Sequence, residues 1–241
     1  GSSVVVNWLQ TLTHTDYLST NHCKRVSPMQ KLDTPGLREK IMIILLASGL
    51  VVSATLLGTT NHREFRSLVP TRDISHIWVP EVTPANSWSV KDGVITCTGN
   101  PIGYLRTKKK YKNYILQVDW RFKKEGAPPD ANSGIFLNIS GPPQKLPKCI
   151  EAQLQQPTAG SVFGLSGAKI TGAKRLQGKA RPLGEWNSYE ITVRNGTLSL
   201  VFNGEKVNGG TEMDPPDGYI GLQSEGWEVQ FRNIFVKDLG E

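Results

Sequence analysis

Glu151, Gln153 and Gln155 recur at every second position of the segment Cys149–Gln155, while Ile150, Ala152 and Leu154 fill the positions between them. In an extended chain the two sets project from opposite faces, so one carboxyl and two carboxamides share a surface. Such a surface can take up a proton at one point and hold hydroxyl or carbonyl groups at the others. Acid/base work by paired carboxyl groups needs a second acid, because an amide neither protonates a leaving group nor attacks. Asp119, on another alternating segment, is the acid this reading supplies. The competing reading is structural: three polar side chains at this spacing also describe the solvated face of a half-buried strand.

Other residues could join them. Asn132-Ser133-Gly134 opens a strand after a loop bearing Pro and Gly, where Asn and Ser commonly satisfy turn backbone. Trp186 is either a stacking platform or a core side chain. Between Glu151 and Glu185 there is no acidic residue, and Lys169, Lys174, Arg175, Lys179 and Arg181 are interspersed with glycines. This stretch reads as loops over one face; it lacks the G-x-x-x-x-G-K-[ST] pattern of a phosphate-binding loop. The four histidines, His14, His22, His62 and His76, all precede residue 77. A histidine-based triad or multi-histidine metal site would therefore need residues that the rest of the chain lacks.

The elements that must position these groups follow from periodicity. With 24 Gly and 15 Pro in 241 residues and only 8% aromatics, the composition predicts many turns between short elements. Beyond residue 85, apolar residues alternate with period two. Asp92-Gly93, Asn195-Gly196, Asn203-Gly204 and Asp217-Gly218 punctuate them as hairpin signals. In Tyr114–Phe122, the residues Tyr114, Leu116, Val118, Trp120 and Phe122 share one face, and Gln117, Asp119 and Arg121 the other. Strands are predicted there and at 94–98, 103–107, 134–139, 149–155, 186–194, 197–202, 219–223 and 229–236. In the last, the alternation slips at Arg232-Asn233, which predicts a bulge. Lys108, Lys109, Lys110 and Lys112 read as guards of a strand edge. The fold class is all-β: a jelly-roll sandwich of two antiparallel sheets.

Residues 1–59 are set apart as an N-terminal extension with an address, and 60–241 as one domain. The uncharged apolar run Ile41–Gly58, preceded by Lys31, Arg38 and Lys40, reads as a secretory signal segment, or as an anchor if uncleaved. It predicts a periplasmic or extracellular protein whose contact with a membrane is limited to that segment. A formal charge of +7 spread along the chain lacks the dense basic stripe of a nucleic-acid binder. An oxidising compartment would permit a Cys97–Cys149 bridge. Asp130, Asn132 and Asp217 could serve a structural Ca²⁺, although no EF-hand spacing is present.

Nine segments in order carry a family resemblance: WSVKDG from Trp88, GYLRT from Gly103, YILQVDWR from Tyr114, NSGIF from Asn132, IEAQ from Ile150, GEWNSY from Gly184, NG at Asn203, GYIGLQ from Gly218 and FRNI from Phe231. Together they resemble the 3-keto-disaccharide hydrolase family, formerly domain of unknown function 1080, over residues 74–239. The resemblance implies a concanavalin A-like lectin/glucanase sandwich and a bacterial, exported role in breaking down small carbohydrates. Laminarinase- and lichenase-type relatives of that fold often carry E-x-D-x-E where this chain has E-x-Q-x-Q. It further implies a partner oxidoreductase that makes the C3 ketone, after which one base suffices and no cofactor is required. On the resemblance and the face geometry together, Glu151 is the expected base and Asp119 orients Arg121 or supplies a second acid. Arg121, Asn132, Ser133, Gln153, Gln155, Asn138, Lys174 and Trp186 are the expected substrate contacts. The alternative is a non-catalytic carbohydrate-binding module using Gln153, Gln155, Asn138 and Trp227.

Overall fold

The computed structural model describes residues 64–240; the apolar run Ile41–Gly58 lies outside the described residues. Fifteen strands are present: β1 (Arg66–Ser67), β2 (Trp78–Glu81), β3 (Trp88–Lys91), β4 (Val94–Cys97), β5 (Gly103–Tyr111), β6 (Asn113–Phe122), β7 (Gly134–Ser140), β8 (Lys148–Gln153), β9 (Val162–Leu165), β10 (Lys169–Thr171), β11 (Asn187–Arg194), β12 (Thr197–Phe202), β13 (Glu205–Asp214), β14 (Gly218–Ser224) and β15 (Val229–Gly240). They form two antiparallel sheets of a jelly-roll sandwich. The larger has nine strands in the order β10-β13-β12-β11-β6-β15-β4-β3, with β1 added on β15; the smaller has six, in the order β2-β5-β14-β7-β8-β9.

The alternation in β6 does what its spacing predicts. Tyr114, Leu116, Val118, Trp120 and Phe122 are buried between the sheets, while Gln117, Asp119 and Arg121 face outward. Trp120 lies at the centre, with Tyr189 and Phe202 from β11 and β12 packed around its indole. The slip at Arg232-Asn233 is a β-bulge: Arg232 pairs with Asp119 but Phe235 pairs with Gln117, so β15 spends one extra residue there and Asn233 adopts φ 50°. Side chains before and after the bulge thereby keep facing the core. β5 is an interior strand of its sheet, flanked by β2 and β14, and β2 pairs with it over Tyr104–Thr107. Beyond that stretch the Lys108 N–H still donates to the Ile77 carbonyl at 2.9 Å, and Lys109 and Lys110 follow outside the β2 pairing.

Two expectations are corrected. The outer face of the smaller sheet is not solvated at β8, where Glu151 is 3% and Gln153 7% exposed. A second apolar cluster of Tyr104, Phe136, Ile139 and Cys149, with Leu165 and Tyr219 against it, covers part of that outer face. The sheet is therefore buried on both sides along its middle. Nor do Cys97 and Cys149 form a bridge; both are free and buried. Cys97 packs in the core between the sheets, whereas Cys149 points to the outer face of the smaller sheet, so their Cβ vectors do not converge. Alkylation in denaturant without reductant is expected to label Cys97 and Cys149 fully, as read by peptide mass mapping; protection of either would contradict this arrangement.

Candidate functional site

The candidate site lies on the outer face of the smaller sheet and is built from two cross-strand rows. Pairing places Val79, Arg106, Gly221, Phe136, Glu151 and Phe163 in one row. Glu81, Tyr104, Gln223, Gly134 and Gln153 make up the next. Glycine at position 134 is what lets a carboxyl sit there. A Cβ on Gly134 would stand 2.3 Å from Glu151 Oε1 and 3.0 Å from Gln223 Oε1, so the carboxyl of one row leans over the missing side chain of the other.

Burial pushes the Glu151 carboxyl up to about 8, the neighbouring Glu225 carboxyl pushes in the same direction, and the Arg175 guanidinium pulls against both. Arg175 reaches this position by lying over Phe163, with its Cζ 3.4 Å from the ring centroid; Phe163 is the β9 partner of Glu151. Gln153 is held by its own turn: its Oε1 accepts the Leu154 N–H at 3.1 Å, and its backbone carbonyl accepts the Tyr189 hydroxyl at 2.6 Å.

The second carboxyl is Glu225, one residue past the end of β14. Burial raises it as well, but N–H groups of Asn132 and Gln223 donate to it and oppose the rise. Ser133 ties the same strands together, its hydroxyl donating to the Gln223 carbonyl at 2.9 Å. The site thus holds two carboxyl groups, three carboxamides and one guanidinium. It can move a proton, stabilise a developing oxyanion and accept hydroxyl hydrogens.

The sequence-predicted residues divide. Glu151, Gln153, Asn132 and Ser133 are brought together. Gln155 sits at the rim, where it accepts from the Thr158 hydroxyl at 2.9 Å. Asp119, Arg121 and Trp186 are on the outer face of the larger sheet, with the whole core between them and Glu151. There Asp119 accepts from Arg232 and Asn233, and the guanidinium groups of Arg121 and Arg232 lie 4.4 and 4.1 Å from the Trp186 ring centroid. Asn138 is fully buried, bonded to the Tyr114 hydroxyl and the Pro215 carbonyl. The Lys174 side chain is exposed while its backbone bonds Asn208; the next residue, Arg175, lies over Phe163 and is the one whose charge acts on Glu151. Period-two patterning could not point to Glu225, Gln223 or Arg175, although Gln223 stands in a matched motif.

Among the described residues no group of three or more His, Cys, Asp and Glu is placed to hold a metal ion. Asn132 precedes β7 and bridges Gly226, whereas Asp217 precedes Gly218, which abuts Asn138 and Ile139 near the far end of β7. With Asp130, the trio suggested for Ca²⁺ is therefore split along a strand.

The architecture is thus a two-sheet jelly roll with carboxyls and amides gathered on one sheet face. Solved structures agree on the fold. A candidate glycosyl hydrolase of Parabacteroides distasonis superposes with a TM-score of 0.57 at 23% identity, covering 73% of this chain and 94% of that one. A β-glucanase of Bacillus licheniformis superposes with a TM-score of 0.53 at 11% identity, covering 73% and 98%. A 3-keto-disaccharide hydrolase of Bacteroides thetaiotaomicron is 24% identical over a 219-residue alignment, covering 64% of this chain and 71% of that protein. Residues 64–237 match the 3-keto-alpha-glucoside-1,2-lyase-like domain, and the chain belongs to that family.

A carboxyl raised by burial binds its proton more tightly folded than unfolded, so its contribution to stability is full below about 4.5 and is lost as the pH rises through about 8. Between those values wild type is expected to lose stability relative to Glu151→Gln. Denaturant unfolding at a series of pH values checks this; parallel curves would refute the buried, proton-binding state of Glu151.

Proposed function

We propose that this protein is a glycoside-cleaving enzyme that acts on 3-keto-glycosides by elimination, with Glu151 as the base. The family match and the 3-keto-disaccharide hydrolase relative support the substrate class. The observation that carries the mechanism is the Glu151 carboxyl, buried at the gap left by Gly134 and pushed up to about 8 by that burial. A base tuned close to neutral pH combines availability with driving force for proton transfer.

The C3 ketone makes the C2 hydrogen acidic. Glu151 takes that proton, and the C2–H electron pair moves toward the C3 oxygen as an enolate, which Arg175 stabilises. The pair then returns to form C1=C2, the C1–O bond breaks, and the departing oxygen takes up the proton that Glu151 removed. Addition of water across C1=C2 completes net hydrolysis. Every step is redox-neutral, so the oxidation that makes the ketone belongs to a separate oxidoreductase acting upstream. Ile41–Gly58 fits export, which would place the reaction in the periplasm or outside the cell.

Incubation with a 3-keto-α-glucoside and with its unoxidised parent, followed by mass spectrometry, is the test. Only the keto-sugar is expected to be cleaved, with kcat/KM rising as the pH approaches about 8. Glu151→Gln is expected to lose roughly 10²- to 10⁴-fold in turnover while keeping its fold. Cleavage of the unoxidised parent would instead assign paired-carboxylate hydrolysis. Binding without turnover of either sugar would assign a carbohydrate-binding module.

A further inference from the structure

Gln223 is 1% exposed, and its two amide atoms have opposite fates. Nε2 donates to Glu225, whereas Oε1 is buried and has no hydrogen-bond partner among the described residues. The orientation is determined chemically, since a carboxylate accepts only and must be met by the N–H₂ end of the amide. Asn132 repeats the arrangement: its side chain donates to the same carboxyl, and its Oδ1 is also buried without a partner. Glu225 therefore turns two carboxamides so that their oxygens, not their nitrogens, face away from it.

The Gln223 oxygen is aimed at a specific place. It and Glu151 Oε1 both approach the space that a side chain at Gly134 would fill, so a buried acceptor stands beside the expected base. A buried acceptor left unmatched costs stability, and a site that retains one is suited to a ligand that brings a donor. We propose that Gln223 Oε1 accepts a hydrogen bond from the substrate hydroxyl on the carbon that Glu151 deprotonates, the C2 hydroxyl, and that Glu225 is the positioning residue that holds the amide in this sense. This rests on the elimination reading for the identity of the carbon. It deepens that reading by restricting the substrate to glycosides with a free C2 hydroxyl, excluding 2-deoxy and 2-O-substituted sugars.

Affinity is measured by calorimetry for two unreactive probes, methyl α-glucoside and methyl 2-deoxy-α-glucoside, and kcat/KM for their 3-keto forms after correction for spontaneous elimination. Wild type is expected to prefer the 2-hydroxy member of each pair by about ten- to a hundredfold. Gln223→Met, which keeps the length and removes the acceptor, is expected to bring both ratios close to one. Glu225→Gln, which no longer demands an N–H from its neighbour, is expected to lower them while the thermal melt stays that of a folded protein. Equal handling of the two sugars by wild type, binding of neither probe, or full discrimination by Gln223→Met would overturn the proposal. Should the affinity ratio hold while no keto-sugar is turned over, the elimination reading fails and the Gln223 contact stands. Should Gln223→Met not fold, the wild-type ratios and Glu225→Gln decide.

Discussion

A carboxyl side chain 3% exposed in the middle of a sheet is a costly object, and the arrangement of the smaller sheet follows from accommodating it. Space comes from Gly134 in the neighbouring row, where any Cβ would collide with Glu151 Oε1. Neutralisation comes from retention of the proton, since burial raises the group to about 8. Cover comes from Phe136 and Phe163 on either side in the same row and from Arg175 laid over Phe163. None of these is a generic feature of a sandwich. They coincide at one residue, and the two cross-strand rows carry that point outward to Gln223 and Glu225.

The two outer faces of the sandwich do different work. On the larger sheet, Asp119 pairs with Arg232 at 3.2 Å with both side chains partly exposed, and Arg121 bonds Gln230 at 2.8 Å. Screened pairs of this kind contribute little to stability. The face around Glu151 is the reverse, with charges withdrawn from water and tied to amides. Two carboxyl groups in one sequence can thus have unrelated surroundings, because these depend on which side of the core the strand presents them to.

Much of this was legible in the sequence wherever a local rule applied. Period-two alternation located the core face of β6 and the common face of Glu151 and Gln153, and its interruption located the bulge at Arg232-Asn233. Legibility ended where long-range pairing takes over. β9 and β10 lie in a glycine-rich basic stretch whose strands are four and three residues long, too short to show a period. Asp119 was a reasonable second acid by alternation, but alternation says only that a residue faces outward, not from which sheet. Glu225 follows β14, and its nearness to Glu151 depends on β14 pairing with β7 and β7 with β8, an order invisible to spacing. Lys174 and Arg175 are adjacent, and only the seating of Arg175 on Phe163 separates them.

The departure from paired acids at E-x-Q-x-Q is then understandable as chemistry rather than as loss. With carboxylates at all three positions of β8 and its extension, mutual repulsion would compete with any single base, and a carboxylate offers no N–H to a developing oxyanion. Amides at 153 and 155 keep hydrogen-bonding capacity without adding charge, and the second carboxyl is supplied from β14, where Asn132 and Gln223 answer it with donors. Separation of the two carboxyls onto different strands lets each have its own environment: one dry and raised by burial, the other also raised by burial but opposed by the amides that donate to it. That asymmetry is what a one-base elimination asks of a site, and a symmetric pair on one strand would have difficulty providing it.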